Sequence, residues 1–347
     1  MDFTPTRTAW MTRRLPKGLD VTWLPVGTPA VGDLLACEVI TPSLLRHLDT
    51  ADGRRSMLYP GDRFTCVVGN RYSTSVLQGR GRVTGDVTEM LSASGLCGEV
   101  VGRSADVAAP TTLRVLAQAH HADRPLNVRS FLLPPAQPIG PTPTWIVVAG
   151  SAMDAGKTTA CASIIHGLTG AGYRVGAAKL TGTASPRDLS SYRDAGADPV
   201  LEFLDMGWPS TDGCDRADLA AIVAGLTGQL QAAAVQVGVL EIADGLLQRE
   251  TELILRALSG WLGPTHIVLA TRESLSAVAG AGQLRQMGHD VLAVTGVVTN
   301  SPLACQEVEL AGAGPCIPTA GLGTAVASFV EQLGDRQAER PAPVAAA

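Results

Sequence analysis

Aromatic residues are scarce in this chain, only 4% of 347. Ring stacking therefore cannot organise the interior, and Ala, Val, Leu and Gly must fill it. Neither sign of charge is in excess: 27 basic against 32 acidic residues leave a net −5, which removes the electrostatic footprint of a nucleic-acid binder. The basic opening "RTAWMTRRLPKG" reads as a short solvated segment. The seven cysteines, Cys37, Cys66, Cys97, Cys161, Cys214, Cys305 and Cys316, form no C-x-x-C pair. An odd, scattered set predicts buried free thiols in a reducing compartment and argues against a disulfide framework or a zinc site. His120 and His121 are adjacent, without the i,i+4 spacing of a helical zinc site. No apolar run approaches the roughly 18 residues of a membrane span, and no hydrophobic leader core opens the chain. The expectation is a cytoplasmic protein without nucleic-acid or membrane partners.

What is abundant is proline in one place. "LLPPAQPIGPTPT", residues 132–144, holds five prolines, which remove backbone donors and fix φ, so the segment reads as a linker. Before it, "LLACEVI", "RFTCVVG" and "GEVVGR" are short β-rich runs between glycine turns, and "TPSLLRHLD" reads as a helix with Pro42 at its first position. "SFLL" is expected to return to that sheet. After the linker, apolar strands "TWIVVAG", "RVGAAKL", "QVGVLEI", "THIVLAT" and "LAVTGVVTN" alternate with helical stretches. That alternation demands a parallel sheet covered on both faces. The predicted organisation is a β-rich, barrel-like domain over 1–131, a linker over 132–143, a doubly wound α/β domain over 144–334, and a fraying tail over 335–347.

The first strand of the second half runs into "AGSAMDAGKTT". Five residues separate Gly150 from Gly156, so the strict G-x-x-x-x-G-K-[ST] pattern fits only with Ser151 in place of its first glycine. The physical essentials survive this change. Gly156 lets successive N–H groups turn inward at a helix N-terminus, where an anion is favoured. Lys157 can reach the β- and γ-phosphates, Thr158 can offer its hydroxyl to magnesium, and Thr159 is placed for the α-phosphate. Ser151, Met153, Asp154 and Ala155 complete the cradle.

The run "VVAGSAMDAGKTTACASIIHGLTGAGYRVGAAKLTG" resembles the dethiobiotin-synthetase-like branch of P-loop NTPases. Asp154 occupies the acidic place two residues before G-K-T, and Lys179 ends the second strand as in that branch. "SPRDLSSYRDAGAD" is similar to the molybdopterin-guanine dinucleotide biosynthesis adaptor family. The resemblance covers residues ~144–330 and implies a P-loop NTPase fold, a bound nucleotide and a glutamate at the end of the "VGVLE" strand, which is Glu241. No lysine precedes Gly156 in the loop, where ATPases that switch by dimer closure carry one. The N-terminal half matches neither family.

The other strand ends offer a site. Glu241 and Asp188 are the candidate magnesium carboxylates, with Asp194 competing for the place of Asp188. Lys179 either lies along the surface or faces the phosphates, where it would neutralise a transferring phosphoryl group. Asp244 faces the substrate or serves only as a turn residue, and Thr181 and Arg71 are further substrate candidates. Asn300 reads as a purine contact or a turn asparagine. Together these predict an ATP-dependent enzyme (GTP is open) that uses Mg2+ to phosphorylate a small-molecule acceptor, as a kinase or as a C–N ligase through an acyl or carbamoyl phosphate. The alternative is a nucleotide-hydrolysing adaptor or delivery protein. A homodimer is expected.

Overall fold

Alternating inward and outward side chains on short strands shape the first half of the chain in the computed structural model, which describes residues 3–137 and 140–338. The strands are β1 (Thr22–Leu24), β2 (Leu34–Thr41), β3 (His47–Asp49), β4 (Arg55–Met57), β5 (Arg63–Val68), β6 (Leu77–Arg80), β7 (Val87–Ser92), β8 (Leu96–Arg103), β9 (Thr111–His121) and β10 (Arg124–Pro125). The path β9-β2-β5-β8 continues through β7, which pairs with both β8 and β9 and so closes a barrel. Its interior is apolar: Leu35, Cys37, Phe64, Cys66, Met90, Cys97 and Leu113 are all fully buried. Closure leaves no free edge on these strands.

Three expectations for this half fail. The basic opening is not a solvated segment: Ala9, Trp10, Met11 and Thr12 are buried in and beside a 3-10 turn (Trp10–Thr12), and Arg13 is ion-paired with Glu202 and Asp205. The "TPSLLRHLD" segment is not helical; it leaves β2 and enters β3, which pairs with β4. Thr111 on β9 explains this, because its hydroxyl accepts from the N–H groups of Ser43 and Leu45 and donates to the Leu45 carbonyl oxygen. One side chain thus takes backbone bonds that a helix would need. "SFLL" does not rejoin the sheet either: a 3-10 turn (Val128–Phe131) forms there, capped by Asn127.

The second half is a parallel six-stranded sheet in the order β13-β12-β14-β11-β15-β16, with β11 (Thr144–Gly150), β12 (Val175–Lys179), β13 (Val200–Glu202), β14 (Val237–Glu241), β15 (Thr265–Ala270) and β16 (Val291–Thr295). Its helices are α1 (Lys157–Gly170), α2 (Pro186–Asp194), α3 (Arg216–Ala232), α4 (Arg249–Leu262), α5 (Ser274–Gln286), α6 (Pro302–Leu310) and α7 (Thr319–Ala338). This is the expected doubly wound α/β fold. The strands are nearly all buried because helices cover both faces, and each buried Val, Leu or Ile stabilises by about 1.5–3 kcal/mol. The "LAVTGVVTN" run is strand only to Thr295, after which Gly296 (φ +91°) turns the chain into a 3-10 turn (Val297–Asn300). Helix α7 continues to Ala338, past the predicted start of the tail, and 339–347 lie outside the described residues.

The two halves are tied by charge. Trp10 Nε1 donates to Glu202 Oε1 at 2.9 Å, and Arg13 reaches Glu202 at 2.9 Å and Asp205 at 2.7 Å. Glu202 is fully buried. Of the predicted linker, 138 and 139 lie outside the described residues. Its first part is held to the α/β half by Leu133 N–H to the Asp205 carbonyl and by Gln229 to the Pro134 carbonyl.

Candidate functional site

Helices α2 to α6 each begin with a side chain capping their free N–H groups: Ser185, Asp215, Gln248, Glu273 and Ser301. Helix α1 does not. Its N-cap is Gly156, at φ +101°, which has no side chain to offer. The first N–H groups of α1 are therefore left to an external acceptor, and the helix dipole favours an anion.

The loop ahead of α1 is packed from three sides. A Cβ on Gly150 would lie 2.8 Å from Lys157 Cδ, so the lysine stem crosses the end of β11. One on Gly245 would lie 2.6 Å from the Ser151 carbonyl oxygen, and one on Gly296 only 2.1 Å from that of Ala155. Lys157 is buried, and its Nζ donates to the carbonyl oxygens of Ala152 (2.8 Å) and Asp244 (2.6 Å). Burial lowers the pKa of this ammonium, against the pull of Glu241 and Asp244. Asp154 and Asp244 both adopt positive φ, 56° and 61°, which an aspartate tolerates better than most residues.

Parallel register sets the neighbouring charges in a row. Glu202 pairs with Lys179, Lys179 with Glu241, and Glu241 with Val148, two residues before the loop. Lys179 is buried and ion-paired with Asp188 in the first turn of α2. Burial works against its charge, but Asp188 and Glu241 outweigh that and raise its pKa. Glu241 is buried and accepts from the Tyr192 hydroxyl, whose own pKa is pushed up by burial and by Glu241.

Two adjoining clefts result. The outer one, about 640 Å³, is lined by Asp154, Gly156, Lys157, Thr158, Thr159 and Arg187 among others. The inner one, about 250 Å³, is lined by Arg71, Lys157, Lys179, Glu241 and Asp244, together with Tyr72, Ser73 and Met153. Lys157, Thr158 and Asp188 border both. Arg71, Tyr72 and Ser73 come from the β-rich half, and the Ser73 hydroxyl lies 3.4 Å from the Met153 sulfur.

The structure brings most of the predicted residues together and separates others. Thr181 is fully buried, and its hydroxyl accepts from Ala243 N–H at 2.8 Å, so it holds the loop after β14 instead of lining a cleft. Asn300 is exposed in its 3-10 turn and borders neither cleft. Asp194 is exposed at the far end of α2, also outside both. Ser151 and Ala155 act through backbone: Ser151 N–H donates to the Ala270 carbonyl, and the Ala155 carbonyl accepts from Val297. Gly245, Gly296, Tyr192 and Arg187 escaped the sequence reading. The available signal for the glycines was a single Gly just beyond each apolar strand.

The residues fit a phosphate chain with magnesium. An uncapped helix N-terminus and Lys157 suit phosphate oxygens, and Thr158 and Asp188 offer hard oxygen donors beside them. No cluster of three or more His, Cys, Asp or Glu suited to a metal exists among the described residues. Magnesium at a phosphoryl site needs only one or two carboxylates, since phosphate and water complete its shell.

No protein-family profile matches the chain, and no curated protein does. Among solved structures it is similar to the signal recognition particle 54 kDa protein of Aeropyrum pernix in complex with GDP, at 18% identity and TM-score 0.39, over 58% of this chain and 49% of that one. It is also similar to the signal recognition particle receptor FtsY of Elizabethkingia anophelis in complex with GDP, at 17% and 0.35, over 57% and 58%. A second structure of that receptor gives 16% and 0.34, over 61% and 66%. The chain thus spans about half to two thirds of these proteins. Sheet order and the glycine turn into an uncapped α1 together give its second half a P-loop NTPase-like α/β fold.

Proposed function

We propose that this protein is a magnesium-dependent enzyme that transfers the γ-phosphoryl group of a nucleoside triphosphate, ATP in this reading, to a small-molecule acceptor. The observation that carries it is the pair of clefts meeting at Lys157, Thr158 and Asp188. A site that only bound or hydrolysed a nucleotide has no need of a second, inner cleft with its own cation and carboxylate. The N–H groups of α1 and Lys157 would hold the phosphates, and Thr158, Asp188 and Glu241 would hold magnesium, which would supply charge neutralisation to the transferring phosphate. Lys179, paired with Asp188, places positive charge beside the transfer point, so catalysis is positioning and electrostatics. An acceptor carboxylate or carbamate would give a mixed anhydride and open the ligase route. A homodimer belongs to this reading.

The test is nucleoside diphosphate release from ATP and from GTP, each with magnesium, across a pool of small metabolites, with mass analysis of products. A phosphorylated metabolite supports the reading. Release that no small molecule changes but a protein partner stimulates overturns it in favour of an adaptor. One feature favours that second reading: Leu247, Leu275 and Leu303, soon after β14, β15 and β16, are 86%, 73% and 71% exposed at the nucleotide end of the sheet.

A further inference from the structure

The charged groups of the inner cleft are not all spoken for. Lys179 holds Asp188, Tyr192 holds Glu241, and Lys157 is bound to two carbonyl oxygens. Two groups are left over. Arg71 donates to the Leu91 carbonyl oxygen, yet no carboxylate among the described residues is in ion-pair contact with its guanidinium. The carboxylate of Asp244, as distinct from its carbonyl, has no hydrogen-bond or ion-pair partner among them either. Both border the same small cavity without touching each other.

A mostly buried guanidinium and a mostly buried carboxylate that feel each other's charge but form no ion pair are costly unless a ligand matches them. Resting on the phosphoryl-transfer reading above, we propose that the acceptor is a small hydroxy acid: Arg71 binds its carboxylate, and Asp244 takes the proton from its hydroxyl as that oxygen attacks. A planar guanidinium suits a carboxylate through paired N–H donors. In the step, the acceptor oxygen bonds to the γ-phosphorus. The bond from that phosphorus to the β,γ-bridging oxygen breaks, and the nucleoside diphosphate leaves with the electron pair. The hydroxyl proton passes to Asp244 and then to water. Burial supports the base role, since it holds the Asp244 carboxyl up at about 6, with Asp212 and Glu250 adding to the rise and Lys157 and Lys179 opposing it. A base so poised accepts protons near neutral pH.

The arrangement also assigns the β-rich half a role. Arg71 sits between β5 and β6, where its backbone is bridged to Gly79, so the barrel selects the acceptor while the α/β half binds the nucleotide.

The experiment uses the full chain with ATP and magnesium, and compares glycolate, glycerate and malate with ethylene glycol, glycerol, 1,2,4-butanetriol and glycine. Diphosphate release is the readout. At least one hydroxy acid should stimulate release with an apparent affinity about tenfold or more above its uncharged counterpart, the expected scale for a charged hydrogen-bonded contact. Arg71→Gln should erase that preference and Arg71→Lys should retain part of it, with melting temperatures checking that both fold. Equal response to acids and polyols, stimulation by glycine alone, no stimulation by any acid, or unchanged selectivity in Arg71→Gln overturns the proposal. ATP affinity of the wild-type protein separates the two levels. Failure to bind ATP overturns the proposed function itself, whereas binding without acid selectivity overturns only the acceptor.

Discussion

Lys157 Nζ donates to the carbonyl oxygen of Asp244 at 2.6 Å, so the phosphate loop and the loop after β14 share one cation. Under the proposed function, a γ-phosphate entering the outer cleft would compete with that carbonyl for the same ammonium. Nucleotide binding would thereby be coupled to the position of Asp244, the proposed base.

Replacing Lys157 with Ala should lower nucleotide affinity by at least about tenfold, because a charge-assisted bond to phosphate contributes on the order of 1.5–3 kcal/mol. Titration calorimetry with ATP and magnesium measures it. Affinity equal to wild type would remove the phosphate role of this loop.

Lys179→Met should leave nucleotide affinity within a few-fold and abolish transfer. It also strands Asp188, whose side chain is 21% exposed, so the stability cost should fall below the roughly 3–5 kcal/mol of a fully buried pair. Single-turnover kinetics together with urea denaturation separate the two effects. Surviving transfer would demote Lys179 to a structural cation.

The acid limb of kcat/KM should show an apparent pKa of about 6, because Asp244 must be ionised to accept a proton. Activity falls as pH drops through that value. Stability moves the other way. With the folded pKa above the ordinary 3.8, the folded state binds more protons than the unfolded chain between the two values, so this group weakens the fold as pH rises from about 4 to about 6. Melting temperatures of Asp244→Asn against wild type, followed over that range, check the sign: the variant should gain relative to wild type as pH rises.

Gly296→Ala should destabilise by about 2 kcal/mol or more, since its Cβ would stand 2.1 Å from the Ala155 carbonyl oxygen on backbone at φ +91°. The damage should appear in nucleotide affinity as well, because the displaced group belongs to the phosphate loop. Denaturant titration and calorimetry on one preparation test both.

Arg13→Ala should cost about 3–5 kcal/mol by leaving Glu202 fully buried without its cation. Adding Glu202→Gln should recover a good part of that loss. An additive double mutant, seen by urea denaturation, would show that the pair does not hold the two halves together.

Local pattern carried a great deal here. The switch from period-two runs to alternating strands and helices announced a β-rich half and a parallel sheet, because burial on one face or on two leaves different marks on the chain. The G-K-T-T run after an apolar strand marked the glycine turn into α1, and Lys179, Glu241 and Asp188 were legible as charges at strand ends or in the first turn beyond. What no local pattern held was who partners whom. Lys179 binding Asp188, Tyr192 binding Glu241, and Thr181 turning inward to Ala243 depend on strand register and on α2 folding back across the sheet. The helix expected at Thr41 failed because Thr111, seventy residues away, claims that backbone. Arg71 was visible only as an arginine in a glycine- and serine-rich loop. Its place opposite Asp244 was decided when the barrel closed and docked on the α/β half, since only packing between distant segments can set two charges around one cavity.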